Sequence, residues 1–257
     1  MKKISVLGSG WLGKPLAEQL LASGYQVNVS TRDADKAAQL AAMGLQPHII
    51  DIEHLSATLD AFLQAPTLII NITSKDKSAY QALAQAIEKS PVQQVLFISS
   101  TSVYGSQQGL CQESTVLETE TNLRRIERLF TDNPHFQCSV IRFAGLIGPK
   151  RHPGRFFASG KSIKDSQAKV NLIHQVDCLK LIETILTQQA WGEVFNGCAN
   201  NHPTKADYYT KMAVTLGYPA PTCLTADVAS NKVVCNDKIK RHLGYQFIYP
   251  DIEQIPW

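Results

Sequence analysis

Short apolar runs alternate with amphipathic stretches through the first half of the chain. Ile4-Ser-Val-Leu7 runs into a glycine, and Leu16 to Ser23 then places Leu16, Leu20 and Leu21 on one helical face before Gly24. Tyr25 to Val29 alternates like a strand, and Asp35 to Met43 is Ala-rich, helical and closed by Gly44. The same rhythm predicts strands over Pro47–Asp51, Thr67–Asn71 and Val95–Ile98, and helices over His54–Leu63 and Ser78–Lys89. Strands separated by helices of about 10–15 residues imply parallel βαβ units. Continuous apolar strands suit a sheet covered on both faces.

The second half is less regular. Asn122–Phe130 reads as a helix and Gln137–Arg142 as a sixth strand. A basic, glycine-bearing loop follows from Gly145 to Phe157. Lys169–Ile173 is a short strand, Val176–Gln188 a helix and Glu193–Asn196 a strand, and beyond Lys205 helix, Pro-rich turn and strand mix. No repeat or flexible linker divides the chain.

Gly8-Ser9-Gly10-Trp11-Leu12-Gly13 is a G-x-G-x-x-G that follows a predicted strand and opens a predicted helix. That context turns a weak motif into a dinucleotide-binding one. The first glycine permits the tight turn, the second lets the backbone approach a pyrophosphate, and the third lets helix and strand pack closely. The helix N-terminus offers N–H groups and positive partial charge to the phosphates. The expected architecture is therefore α/β: a Rossmann-type doubly wound parallel sheet with a small C-terminal substrate-binding lobe. Residues 1–145 plus 171–199 are assigned to the NAD(P)-binding domain, and 146–170 plus 200–257 to the small lobe.

The end of the second predicted strand bears on the cofactor. An acid there would bond the adenosine ribose 2′-OH of NAD. The chain has Ser30-Thr31-Arg32 instead, two hydroxyls and a charged fork suited to a 2′-phosphate. NADP(H) is favoured, with NAD(H) the alternative through Asp33. Asp51-Ile52 stands where an acid meets the adenine amino group, and a capping role for Asp51 stays open. Asn71-Ile72-Thr73, closing the fourth predicted strand, is assigned to the cofactor as well.

Composition narrows the partners. A net charge of +3 with no Lys/Arg-rich run argues against a nucleic-acid surface. The six cysteines form no CxxC pair and no zinc-spaced cluster, so they read as reduced thiols, and no metal is expected. No run approaches the roughly 20 apolar residues of a membrane span, and the apolar run after Lys2-Lys3 is too short for a signal-peptide core. A cytoplasmic protein with a small-molecule substrate is expected.

Further motifs follow in order: Ile98-Ser-Ser100-Thr-Ser102-Val-Tyr104-Gly105, Arg142-Phe-Ala-Gly145-Leu-Ile-Gly148-Pro149, Asn171-Leu-Ile-His174-Gln-Val-Asp177 and Val194-Phe-Asn196. With the glycine motif they resemble the extended short-chain dehydrogenase/reductase superfamily, the NAD(P)-dependent sugar-nucleotide epimerases and dehydratases. Within it the chain resembles the bacterial YeeZ-like branch through Gly-Trp-Leu-Gly, Ser-Ser-Thr-Ser-Val-Tyr-Gly and Gly-Arg-Phe-Phe. The resemblance implies that Ser100 holds the substrate's reacting hydroxyl, with Ser102 a second candidate. Dimers are common in that group, which makes a homodimer the assembly expected by analogy.

One departure limits what carries over. The superfamily uses a Tyr as general acid/base with a Lys four residues on. The corresponding stretch, Thr119 to Glu127, holds neither, and none of the eight tyrosines has Lys at that spacing. Tyr104 is a phenol near the expected site, and Arg125 could replace the missing charge. His152 titrates near neutrality and could transfer protons. Arg151 and Arg155 could clamp an anionic group, and Asn171 is a further substrate-binding candidate. A solvated basic loop, locally bonded hydroxyls and structural histidines are the plainer readings of the same residues. Three functions stay open: an NADP(H)-dependent oxidoreductase or epimerase with an atypical active site, a non-catalytic NADP(H) sensor, and an interaction protein with a vestigial site.

Overall fold

The alternating rhythm folds as parallel βαβ units, seen in a computed structural model that describes residues 2–117, 119–226 and 230–257. The first half comprises β1 (Lys3–Leu7), α1 (Gly13–Ala22), β2 (Gln26–Thr31), α2 (Ala34–Ala42), β3 (Gln46–Ile49), α3 (Thr58–Phe62), β4 (Thr67–Ile70), α4 (Lys77–Glu88) and β5 (Gln94–Ser100). Then come β6 (Leu110–Cys111), α5 (Asn122–Thr131), β7 (Gln137–Phe143), β8 (Gly145–Ile147), β9 (Leu172–His174), α6 (Gln175–Gln188) and β10 (Val194–Gly197). The chain closes with α7 (Lys205–Thr215), β11 (Val233–Val234) and α8 (Asp237–Leu243). Residues 227–229, within the expected small lobe, lie outside the described residues.

The central sheet has seven strands in the order β10-β7-β5-β4-β1-β2-β3. β1 pairs in parallel with β2 and β4, setting Ile4 beside Val27 and Thr67, and β2–β3 and β4–β5 are parallel too. The chain winds outward from β1 to β3 on one side and from β4 to β10 on the other. The order therefore reverses between β1 and β4, and ligands of open α/β sheets bind outside the carboxyl ends of the strands at such a reversal. Even polar positions of β2 are buried, because both faces are covered. Asn28 Nδ2 there donates to Ser5 Oγ at 3.0 Å and to the Phe62 carbonyl at 3.2 Å.

One predicted helix is shorter than its pattern. His54–Leu63 contracts to α3 because Asp51 seeds a turn: its carboxylate accepts the Glu53 N–H at 3.1 Å and its carbonyl the His54 N–H at 3.2 Å. The Thr58 hydroxyl then bonds the Ile49 carbonyl at 2.9 Å, fixing the helix start.

The chain forms two compact units. One comprises Met1–Ser99, Glu120–Ile141 and Ile185–Val194, and the other Ser100–Thr119, Arg142–Thr184 and Phe195–Trp257. The first has a core running from Leu7 through Phe62, Leu83 and Phe97 to Phe130 and Val140. Phe97 and Phe130 stack at 5.2 Å, an arrangement that adds roughly 0.5–1.5 kcal/mol beyond area burial. The second unit is centred on Ile147, Leu172, Tyr208, Met212 and Ile252. Its fully buried Asp177 accepts the Tyr245 hydroxyl at 2.8 Å and the Ile248 and Tyr249 amides at 2.7 and 3.0 Å, which pins the C-terminal segment.

Candidate functional site

The glycine loop joins β1 to α1. Gly8 adopts φ +105°, and a side chain there would strike the Asn71 carbonyl; one on Gly13 would strike the carbonyl of Gly8. A side chain on Gly10 would meet nothing within 4 Å. Two glycines are thus demanded by packing, and Gly10 leaves open space over the loop. α1 has Leu12 at its N-cap position, without a side-chain cap, and carries no acid in its first turn, so the positive end of its dipole is uncompensated by side chains. This loop fits a dinucleotide phosphate. Ser9 and Leu12 are buried beneath it and Trp11 is half-buried.

The end of β2 is wired into that loop. The Ser30 hydroxyl accepts the Gly8 N–H at 2.7 Å, and the Ser30 carbonyl accepts the Ser9 N–H at 3.1 Å. Thr31 Oγ1 accepts the Asp33 N–H at 3.2 Å. Asp33, the alternative ribose reader, caps α2 by accepting the Lys36 N–H at 2.9 Å. The Lys36 ammonium itself donates to the Ser9 carbonyl at 2.6 Å, placing a cation on the glycine loop. Arg32 is exposed and forms no ion pair among the described residues. Lys36 was not identifiable from pattern, although a basic residue one turn after Arg32 was a signal that could have been followed.

The loops after β3 and β4 complete this end of the sheet. Asn71 Nδ2 donates to the Gly8 carbonyl at 3.4 Å, and the half-buried Ile72 packs where a Gly8 side chain would go. Thr73 is exposed. Ser74 donates to Glu53 at 2.9 Å, tying the Asp51-bearing turn to the β4 loop. Asp51 is half-buried and Ile52 buried in the core.

Of the proton-transfer candidates, Tyr104 is fully hydrogen-bonded to protein groups. Tyr104, 2% exposed, bonds Asn196 Oδ1 at 2.7 Å, the Gln112 carbonyl at 3.0 Å and Arg142 Nη1 at 3.1 Å. Asn196 in turn reaches the Cys111 and Cys235 carbonyls at 3.3 and 3.1 Å, and its amide donates to Glu113 at 2.8 Å. Burial pushes the Tyr104 phenol above its ordinary value, against the opposing charge of Arg142. A buried, fully bonded phenol is a poor proton carrier.

His152 is also buried. Its Nδ1 accepts the Gly154 N–H at 3.0 Å, capping a 3₁₀ turn at Pro153–Phe157, and Nε2 has no hydrogen-bond partner among the described residues. Burial, reinforced by Arg155, lowers its pKa. Its ring lies edge-on to Trp257 at 4.2 Å. Asn171 spends its amide on the backbone of Lys232 and Val234, at 2.9 and 2.8 Å. Arg151 and Arg155 are exposed. Ser100 is half-buried, accepts the Ser102 N–H at 3.1 Å and keeps its own proton to donate; Ser102 is exposed.

Residues 8–171 match a family described as NAD(P)H-binding. The chain belongs to that family. It is 35% identical over 270 aligned residues to Protein YeeZ of Escherichia coli (strain K12), covering 98% of this chain and 97% of the relative. A functionally unknown conserved protein from Silicibacter pomeroyi DSS has the same fold, with TM-score 0.81, 25% identity, and coverage of 98% of this chain and 95% of that one. A putative NAD-dependent epimerase/dehydratase from Methylobacillus flagellatus gives TM-score 0.77 and 26% identity over 97% and 94% of the two chains.

Membership in the NAD(P)H-binding family accounts for the glycine loop and for the Rossmann-type sheet. Arg125, the candidate for the missing lysine charge, lies in α5. It is exposed and paired with Glu120 at 3.3 Å. Among the described residues no group of three or more His, Cys, Asp or Glu side chains is arranged to hold a metal, and no helix is long and apolar enough to cross a membrane.

Proposed function

We propose that this NAD(P)H-binding protein prefers NADP(H) and is an oxidoreductase or epimerase acting on a small hydroxyl- or carbonyl-bearing substrate. One observation carries the cofactor preference. The only acid at the end of β2, Asp33, is turned into the α2 cap, while Lys36 sits on the glycine loop and Arg32, next in sequence after β2, is exposed with no ion pair among the described residues. Two cations and a committed carboxylate favour a 2′-phosphate over a bare 2′-hydroxyl. NADP(H), when bound, supplies the hydride chemistry. Gly8, Gly10 and Gly13 shape the phosphate seat, and Asn71 braces it from β4. Ser100, at the carboxyl end of β5, donates its free proton to the substrate oxygen. The reading includes a reducing, cytoplasmic setting, supported by six free cysteines, five of them buried.

A second reading rests on a separate observation: Tyr104 and His152 are buried, with bonds that hold them in place. A non-catalytic NADP(H)-responsive binding protein needs no proton carrier. Titration calorimetry of NADPH, NADP, NADH and NAD on wild type, Arg32→Ala and Lys36→Gln tests the cofactor preference. Each variant is expected to lose about tenfold or more in NADPH affinity, the size of one charge-assisted contact, and little for NADH. Preference of the wild type for NADH would overturn it. Turnover on a panel of sugar nucleotides and carbonyl compounds, lost in Ser100→Ala, separates enzyme from sensor.

A further inference from the structure

Glu127 is a carboxylate with 0% exposure on α5, and such a group is rarely buried unless paired. Its two oxygens do different things. Oε1 accepts the Ser99 hydroxyl at 2.7 Å, on the strand residue just before Ser100, and Oε2 holds Arg124 Nη1 at 2.9 Å. The Arg124 side chain is 31% exposed, and that bond uses one of its five N–H donors. Among the described residues the guanidinium makes no other hydrogen bond, so it is anchored by Glu127 before any ligand arrives.

The position of this pair follows from the topology. A helix between parallel strands runs back against them, so the first turn of α5 lies at the carboxyl edge of the sheet. Two bonds place it there: Glu127 accepts from Ser99, one residue short of the end of β5, and Asn122 Nδ2 donates to the Lys75 carbonyl, in the loop after β4, at 2.9 Å. The Lys36–Arg32 end follows β2. A dinucleotide bound across the strand-order reversal extends from the β2 side toward β4 and β5.

From this geometry we infer that Arg124 binds the nicotinamide-side ribose-phosphate of the cofactor, with Glu127 as the positioning residue that aims it. This rests on the cofactor reading above and names which chain groups hold the second half of the dinucleotide.

The test compares NADPH with adenosine 2′,5′-bisphosphate, which carries the adenosine half alone. Calorimetry on Arg124→Gln is expected to show NADPH affinity reduced about tenfold or more and bisphosphate affinity within about twofold of wild type. Arg124→Lys, which keeps the charge but loses the fork, recovers part of that loss. Glu127→Gln weakens NADPH less than Arg124→Gln does and leaves the bisphosphate unchanged. Unchanged affinity for both ligands in Arg124→Gln, with only a lowered Tm, would make the pair purely structural and overturn the inference. Equal losses for both ligands would overturn it too. A wild type that prefers NADH overturns the NADP preference alone, and NADH against AMP then reads Arg124 in the same way. A wild type that binds no dinucleotide removes the cofactor reading and this inference together.

Discussion

The glycine-loop end of the first unit and the Tyr104 cluster of the second are both rich in polar residues, yet they are built in opposite ways. Around the loop, capacity is left over: Gly10 opens onto free space and Lys36 gives one bond to Ser9, while Arg32 after β2 forms no ion pair among the described residues. Around Tyr104 the groups satisfy one another, from Arg142 and Asn196 to Glu113 and the Cys111 and Cys235 carbonyls. A polar residue signals a ligand when its capacity is unspent, and a structural network when it is consumed. The difference lies in partners and not in residue type.

Breaking the consumed cluster should cost most. Arg142→Ala is expected to destabilise the protein by on the order of 3 kcal/mol, since it strips charged hydrogen bonds from a buried phenol and from the Glu113 carbonyl. Tyr104→Phe should cost about 1–2 kcal/mol by leaving Asn196 Oδ1 short of a donor. Chemical denaturation measures both. Neither change should alter NADPH affinity, and a loss there would make the cluster part of the ligand site after all.

Gly10→Ala probes the open end. Its added methyl meets no protein atom, so Tm should hold while cofactor affinity falls roughly tenfold or more. Unchanged affinity would mean that the space over Gly10 does not receive the phosphates.

The smallest effect is with pH. Burial lowers the pKa of both His152 and His174, so the folded state favours their neutral forms. The unfolded chain then binds more protons below the ordinary histidine value of about 6.5. Stability from these groups is fully present above that pH and declines as pH falls below it. Urea midpoints at pH 7.5 and 5.5 should differ in that direction. His152→Asn, which can still accept the Gly154 N–H, should narrow the gap.

The α/β alternation, the parallel sheet and the glycine loop were legible in the linear order, because strand and helix periods and a glycine turn are local properties. The bond by which the Ser30 hydroxyl holds Gly8 and shapes the loop was not. The hydrogen-bond partners of Tyr104, His152 and Asn171 were not legible. Tyr104 is consumed by Arg142 and by Asn196, which lies 92 residues on. The amide of Asn171 is taken by a backbone segment about 60 residues away. α3 fell short of its pattern because one side chain, Asp51, captured the backbone N–H of Glu53.

By itself, the sequence determined the sheet, the turn that seats a dinucleotide, and the lack of a Tyr-Lys pair, all of which depend on residue type and spacing along a few turns of chain. Only the tertiary structure decided which polar groups remain available. It turned Asp33 into a helix cap, put the Lys36 ammonium on the glycine loop, and buried Glu127 where it holds the partly exposed Arg124 side chain. Burial and hydrogen-bond partnership are properties of neighbours in space, and distant segments of chain supply them.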